Sequence, residues 1–265
     1  MTAVKEIQNH LEERFPLRLA EDWDNTGLLI GRSKAEVRRM MTCLTITVAS
    51  AIEAIDRHVD LIVSHHPLPF RATKKLTDDS AAGRLMLDLI ENQIAVYSPH
   101  TSFDSAATGI NQQFAEGLGL TRIAPLRPDS VEPNIGAARY GDLPDSIDLS
   151  ELERRVMSSL SISKIRTVGV GEVPIHRVAV ACGSAGEFLE DARRLGCQAF
   201  VTGETSFHTC LEAEATNVAL LLPGHYATER FAVVRLADEL KNSYPNIEIW
   251  ASDNEADPIQ SRDLT

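Results

Sequence analysis

An α/β fold made of two similar, interlinked lobes is what the sequence predicts, and three observations predict it. Short apolar runs alternate with segments of helical periodicity along the chain. The alternation occurs in the same order in each half, the mark of an internal duplication. At 265 residues, with 43% hydrophobic and 24% charged side chains, the chain has ordinary globular composition and enough apolar surface for a substantial core.

The elements follow in order. Residues 4–14 read as an amphipathic helix, and "WDNTGLLIG" (23–31) as a turn feeding a short strand. "RRMMTCLTIT" (38–47) reads as a strand, "ASAIEAIDRHV" (49–59) as a helix and "DLIVSHHP" (60–67) as a buried strand. "IAVYSPHTSFD" (94–104) supplies a strand and a loop, then "GINQQFAEGLGL" (109–120) a helix. In the second half "HRVAVACGSAG" (176–186) is a strand with a Gly-rich turn, "EFLEDARRLG" (187–196) a helix and "CQAFVTGE" (197–204) a strand. "VALLLPGHYATE" (218–229) is a strand and loop, and "RFAVVRLADELK" (230–241) a helix. Such alternation predicts mostly parallel sheets.

Between the halves, "RPDSVEPNIGAARYGDLPDS" (127–146) reads as turns and a short strand, followed by an amphipathic helix over 149–160. The predicted organisation is therefore a first lobe over 1–125, a connecting segment over 126–170 and a second lobe over 171–265. The polar end, "SDNEADPIQSRDLT", is expected to be loosely held after a last strand, "NIEIW".

Composition narrows the function classes. The net charge of −12 opposes a long-range approach to DNA, RNA or anionic lipid, so nucleic acid is an unexpected partner. No apolar run is long enough to span a membrane, and the charged amphipathic start lacks the core of a signal peptide. A cytoplasmic location is expected. The four cysteines, Cys43, Cys182, Cys197 and Cys210, form no CxxC pair and read as reduced, mostly buried residues.

The histidines carry the chemistry. Five of the eight, His65, His66, His100, His208 and His225, sit at or just past the ends of predicted buried strands. In open α/β sheets the carboxyl ends of strands are where ligands bind. His100 and Asp104 are four residues apart, as are His225 and Glu229, so on a helical backbone each pair faces one side. His65 and His66 are adjacent; in extended backbone their side chains diverge, which suits two ions better than one. Pro67 keeps His66 extended.

His65, His66, His225, Asp104 and Glu229 thus offer three imidazoles and two carboxylates. That set suits a pair of divalent ions such as Zn, Mn or Fe, with water at open positions. Two ions about 3.5–4 Å apart with a bridging carboxylate form a hydrolytic centre. A lone buried histidine is usually a core residue satisfied by one hydrogen bond; five at strand ends, two of them spaced from acids, are poorly explained that way. His100 and His208 are candidates for proton transfer. For His208 a helix-terminal histidine bonded to backbone explains the sequence equally well. Arg71, Lys74 and Lys75 follow the histidine pair and are candidates for phosphate binding, against the alternative of a solvated loop. "CGSAG" (182–186) reads first as a tight strand–helix turn and second as an anion cradle.

"SHHP", "SPHTSFD" and "GHYATE", with "EDWDNTGLLIG" upstream and "VTGE" and "FH" between, resemble the NIF-three-like dinuclear-metal-centre proteins, also named GTP cyclohydrolase 1 type 2-like. The resemblance covers nearly the whole chain. It implies the NIF-three-like fold, with His65 and Asp104 on one ion, His66 and His225 on the other, and Glu229 bridging. It also implies a homohexameric ring with the metal sites in its central cavity. The implied activity is metal-dependent hydrolysis of a nucleotide-like or phosphate-bearing substrate, with water attacking carbon 8 of a guanine and formate released. Three positions depart from the family pattern: Thr45 and Glu204 stand where aspartates are usual, and Ser206 stands where a lysine is usual. Loss of a lysine bonded to an anionic substrate costs about 1 kcal/mol or more. The alternative to an enzyme is a hexameric metal-binding scaffold or regulator without turnover.

Overall fold

The computed structural model describes residues 1–169 and 173–260; the expected lobe boundary at 170–171 and residues 261–265 of the tail lie outside the described residues. The chain divides into two compact units. One comprises Met1–His10, Trp23–His100 and Val233–Thr265, the other Leu11–Asp22 and Thr101–Ala232.

The first unit is built on a five-stranded sheet ordered Glu248–Ala251, Arg39–Cys43, Leu61–Ser64, Ala95–Ser98 and Gly27–Ile30. The first four strands are parallel and Gly27–Ile30 closes the edge antiparallel. Parallel neighbours need crossovers, and the helices Val48–Asp56 and Ala81–Glu91 supply them. Each helix has a defined start: Thr47 and Ser50 form a reciprocal capping box, and Ser80 accepts from the Gly83 amide. Every residue of Leu61–Ser64 and Ala95–Ser98 is buried, as expected of central strands covered on both faces. Ile62, Val96, Met41, Leu89 and Ala54 meet in the core.

Glu53 is a hub of this unit. Only 4% exposed, it accepts from Trp250 Nε1, Ser252 Oγ and the amides of Asp253 and Asn254, at 2.7–3.0 Å. Burial pushes its carboxyl up, but these bonds together hold it below the usual glutamate range. Glu255 adds a second tie, accepting from the Leu44 and Thr45 amides at 2.9 and 2.6 Å. The segment expected to be loose is therefore anchored through residue 255.

The second unit carries a six-stranded sheet ordered Arg166–Val168, Ala219–Leu222, Ala199–Glu204, Ile175–Ser184, Arg139–Ile147 and Thr121–Ala124. Its central three strands are parallel, flanked by antiparallel neighbours, so the parallel character is confined to the middle. The repeat seen in the sequence is thus a strand–helix–strand–helix–strand module present once per unit. Phe188, Phe200, Leu220 and Ala181 form its core.

Arg139, 1% exposed, is the hub here. Its guanidinium donates to the carbonyls of Gly136, Ala138, Ser105 and Ala106 and to Gln112 Oε1, at 2.5–3.2 Å. Burial pushes it down to about 10, so it remains charged at neutral pH. The units are thus built from segments that alternate along the chain, where consecutive lobes were expected. Residues 126–169 contribute strands and the helix Leu149–Leu160 to the second unit instead of forming a connector, and 233–260 belong to the first.

Candidate metal centre

In the first unit, the buried strand Leu61–Ser64 runs directly into His65 and His66. Strand pairing continues past its formal end, because the His65 and His66 amides donate to Cys43 and Leu44 carbonyls at 3.0 and 2.8 Å. Ser98 Oγ donates to the His65 carbonyl and Ser64 Oγ to that of His66, at 2.6 and 2.9 Å. The backbone of the histidine pair is therefore clamped from both sides. His65 is 1% exposed and His66 half-buried.

His100 joins them. Its ring centroid lies 5.1 Å from His65 and 5.6 Å from His66, and those two are 5.0 Å apart. One ligand atom of each lies within 4.8 Å of the others. Two of the rings are oriented by oxygen: His66 Nδ1 shares a hydrogen bond with Thr45 Oγ1 at 2.6 Å, and His100 Nδ1 with Asp24 Oδ1 at 2.7 Å. His100 also holds a φ of 33°, a left-handed conformation that a side chain adopts only under constraint.

The second unit presents acids. His225 opens the helix His225–Ser243, and one turn on Glu229 Oε2 lies 3.0 Å from its Nε2. Glu204, at the end of its strand, bonds His225 Nδ1 at 2.9 Å. The hydrogen bond that His225 donates to Glu229, opposed by burial and aided by Glu204, raises His225 to about 9. Gly183, at φ 70°, leaves room for Glu229: a Cβ there would sit 2.2 Å from its Oε1 and 3.4 Å from His225 Nε2. The "CGSAG" turn thus packs against a protein carboxylate, while its Cys182 and Gly183 amides donate to Asn111 Oδ1 and Thr228 Oγ1.

Asp104 lies on the helix His100–Ser105, in a stretch the sequence reads as a loop. Asn111 Nδ2 donates to its carbonyl at 3.2 Å, while Asn111 Oδ1 accepts from the Cys182 amide at 2.8 Å. Burial pushes the Cys182 thiol far up, and the charges of Glu229 and Asp104 add to the rise, so both carboxylates act on one locus.

The remaining candidates are more exposed. His208 is an exposed residue at the start of the helix Phe207–Ala215, its ring beside Phe207 at 6.2 Å. Arg71, Lys74 and Lys75 lie on an exposed segment, with no ion pair among the described residues. Asp24 escaped the sequence reading as an orienting group; its signal was the "DWDN" turn. Thr45 and Glu204 appeared there only as departures. In the structure each occupies the Nδ1 side of a histidine.

The donors fit divalent ions. An imidazole whose Nδ1 is engaged by oxygen presents Nε2, the arrangement common around metal-bound histidine. Imidazole with carboxylate suits Zn, Mn or Fe.

The family model for Duf34/NIF3 (NGG1p interacting factor 3) matches residues 2–258. A Clostridium acetobutylicum protein named GTP cyclohydrolase 1 type 2 homolog is 35% identical, over 97% of this chain and 98% of its own. A Helicobacter pylori protein named GTP cyclohydrolase 1 type 2 is 30% identical, over 88% and 90%. A Bacillus cereus protein related to NIF3 has the same fold, with a TM-score of 0.89 at 22% identity and 99% of each chain covered. Among the described residues no helix is long and apolar enough to cross a membrane. With its histidine cluster, its acid-flanked His225 and a match running almost from end to end, the chain belongs to the Duf34/NIF3 family.

Proposed function

We propose that this protein is a dinuclear metal-dependent hydrolase acting on a nucleotide or another phosphate-bearing substrate. The observation that carries the reading is the orientation of three imidazoles: Thr45, Asp24 and Glu204 engage the Nδ1 atoms of His66, His100 and His225. His65, His66, Asp104, His225 and Glu229 are the residues that would hold the ions; as the family resemblance implies, His65 and Asp104 would serve one, His66 and His225 the other, and Glu229 both. When bound, the ions supply Lewis-acid activation of water near neutral pH. His100, held by Asp24, moves the proton to the leaving group through Nε2; His208 is the second candidate for that step. Arg71, Lys74 and Lys75 bind the substrate phosphates. The assembly is a homohexamer, as the family resemblance implies.

One observation favours a second reading, a hexameric metal-binding scaffold without turnover. Ser206, where the family usually carries lysine, uses its hydroxyl to cap the helix Phe207–Ala215 and offers no cation. Metal content per chain, measured together with formate release from GTP under added Mn, Zn and Fe, separates the two. About two ions per chain with metal-dependent formate supports the hydrolase acting on GTP. Two ions without formate or phosphate release from nucleotides supports the scaffold. Absence of metal after loading, or unchanged stoichiometry in His65→Ala and Glu229→Ala, overturns the dinuclear assignment.

A further inference from the structure

Beside the histidine cluster of the first unit stand two large aromatic side chains that the core does not use. Trp23 is 59% exposed and Phe70 47% exposed. Their ring centroids are 6.1 Å apart with planes tilted by 36°, so they form the two walls of a shallow V. His100 closes the bottom, its ring steeply inclined to both, at 6.0 Å from Trp23 and 5.7 Å from Phe70.

Neither wall is a loosely hanging side chain. The residue after Trp23 is Asp24, whose carboxylate bonds His100. The next is Asn25, whose Nδ2 donates to the carbonyl of Pro69 at 2.8 Å, immediately before Phe70. The "DWDN" turn and the end of the "HHPLPF" segment are therefore tied together, and both are tied to the histidine that faces His65 and His66. Exposed aromatic faces held in place by polar bonds of their neighbours form a preorganised stacking surface. Directly after Phe70 come Arg71, Lys74 and Lys75, exposed cations in a chain of net charge −12.

We infer that Trp23 and Phe70 grip a planar heteroaromatic ring, the purine of a nucleotide, and present its edge to His100. The inference rests on the hydrolase reading above and adds the element that chooses the substrate. A flat ring between two aromatic faces needs about 7 Å, twice the contact distance of about 3.5 Å, so the V opens by about 1 Å to admit it. Phosphates of the same ligand then reach the cations that follow Phe70. Stacking is tolerant of which base is held, so this pair selects for a ring and leaves the choice among purines to polar groups.

The chain has two tryptophans, which makes the test direct. Trp250 is 8% exposed, bonded to Glu53 and covered by the Arg57 guanidinium at 3.6 Å from its ring, so quenching by a bound base reports on Trp23. Metal-loaded protein in its native assembly is titrated with GTP, guanosine, ribose 5-phosphate and tripolyphosphate. The expected result is saturable quenching by GTP and guanosine alone. Trp23→Leu abolishes it, and Phe70→Leu weakens the guanosine affinity by about tenfold, with metal content unchanged in both variants. Saturable quenching by tripolyphosphate equal to that by GTP overturns the inference, as does a guanosine affinity unaltered by Phe70→Leu. So does emission from Trp23 that acrylamide cannot reach, since another copy of the chain then covers the pair. Base-dependent quenching in a protein that binds no metal sustains the aromatic site and refutes the hydrolase reading. Metal-dependent turnover without base-dependent quenching does the reverse.

Discussion

Each unit gathers its outlying chain segments around one buried charge, and the two charges have opposite sign. In the first unit Glu53 collects four donors from residues 250–254. In the second Arg139 donates to four carbonyls and to Gln112, and two of those carbonyls end the helix bearing Asp104. A carboxylate suits a segment that arrives with amide N–H groups, and a guanidinium suits a helix end, where carbonyls lack partners. The hub in each case matches the backbone atoms left over. The candidate metal ligands show the same division. The first unit offers imidazoles set by a hydroxyl or Asp24, while in the second His225 lies between two carboxylates.

The sharpest way to break this symmetry is Arg139→Leu. It strands several buried carbonyls at once, and we expect a loss of about 3 kcal/mol or more in unfolding free energy, read by urea denaturation. A loss under about 1 kcal/mol would show that the carbonyls find water instead, and Arg139 would not be a hub.

Glu53→Gln is expected to cost less, about 2 kcal/mol, because the amide keeps one accepting oxygen. It also carries a pH signature. Glu53 is held below its unfolded pKa, so its contribution is complete above that value and disappears as pH falls through the folded one. Wild-type stability should therefore fall in acid more steeply than that of Glu53→Gln; parallel pH profiles would contradict the assignment.

Smaller still, and aimed at the candidate metal site, are Thr45→Val and Glu204→Gln. Each removes or weakens a partner on the Nδ1 side of a histidine, and a drop of about 10-fold in metal affinity is expected, measured by chelator competition. Glu204→Gln should have the larger effect because it also removes a charge. Equal affinities in wild type and both variants would mean that these contacts do not orient ligands.

Much of the site was legible in the sequence. His65 and His66 follow a four-residue run buried throughout, at the carboxyl end of a central strand. The four-residue spacings of His100 with Asp104 and His225 with Glu229 fall on helices, although the sequence reads residues 94–104 and 218–229 as strand and loop. The interleaving of the units was not legible. Glu248–Ala251 pairs with Arg39–Cys43 across some two hundred residues, and nothing local marks a strand's distant neighbour. Glu255 was hidden for a related reason: its partners are backbone amides, which leave no trace in residue identity. The helix Ala81–Glu91 was not read from the sequence, where no element was assigned between residues 76 and 93.

Glu255 has a further consequence, for the order in which the molecule is made. It binds the Thr45 amide, and the Thr45 hydroxyl binds His66. Translation delivers every residue of the second unit by position 232, whereas the first still awaits its edge strand and Glu255. During synthesis the unit begun first is thus finished last. His66 stays without that support until the second unit is already complete. A ribosome-bound chain halted before residue 248 should accordingly protect the second sheet, and leave the first open to proteolysis.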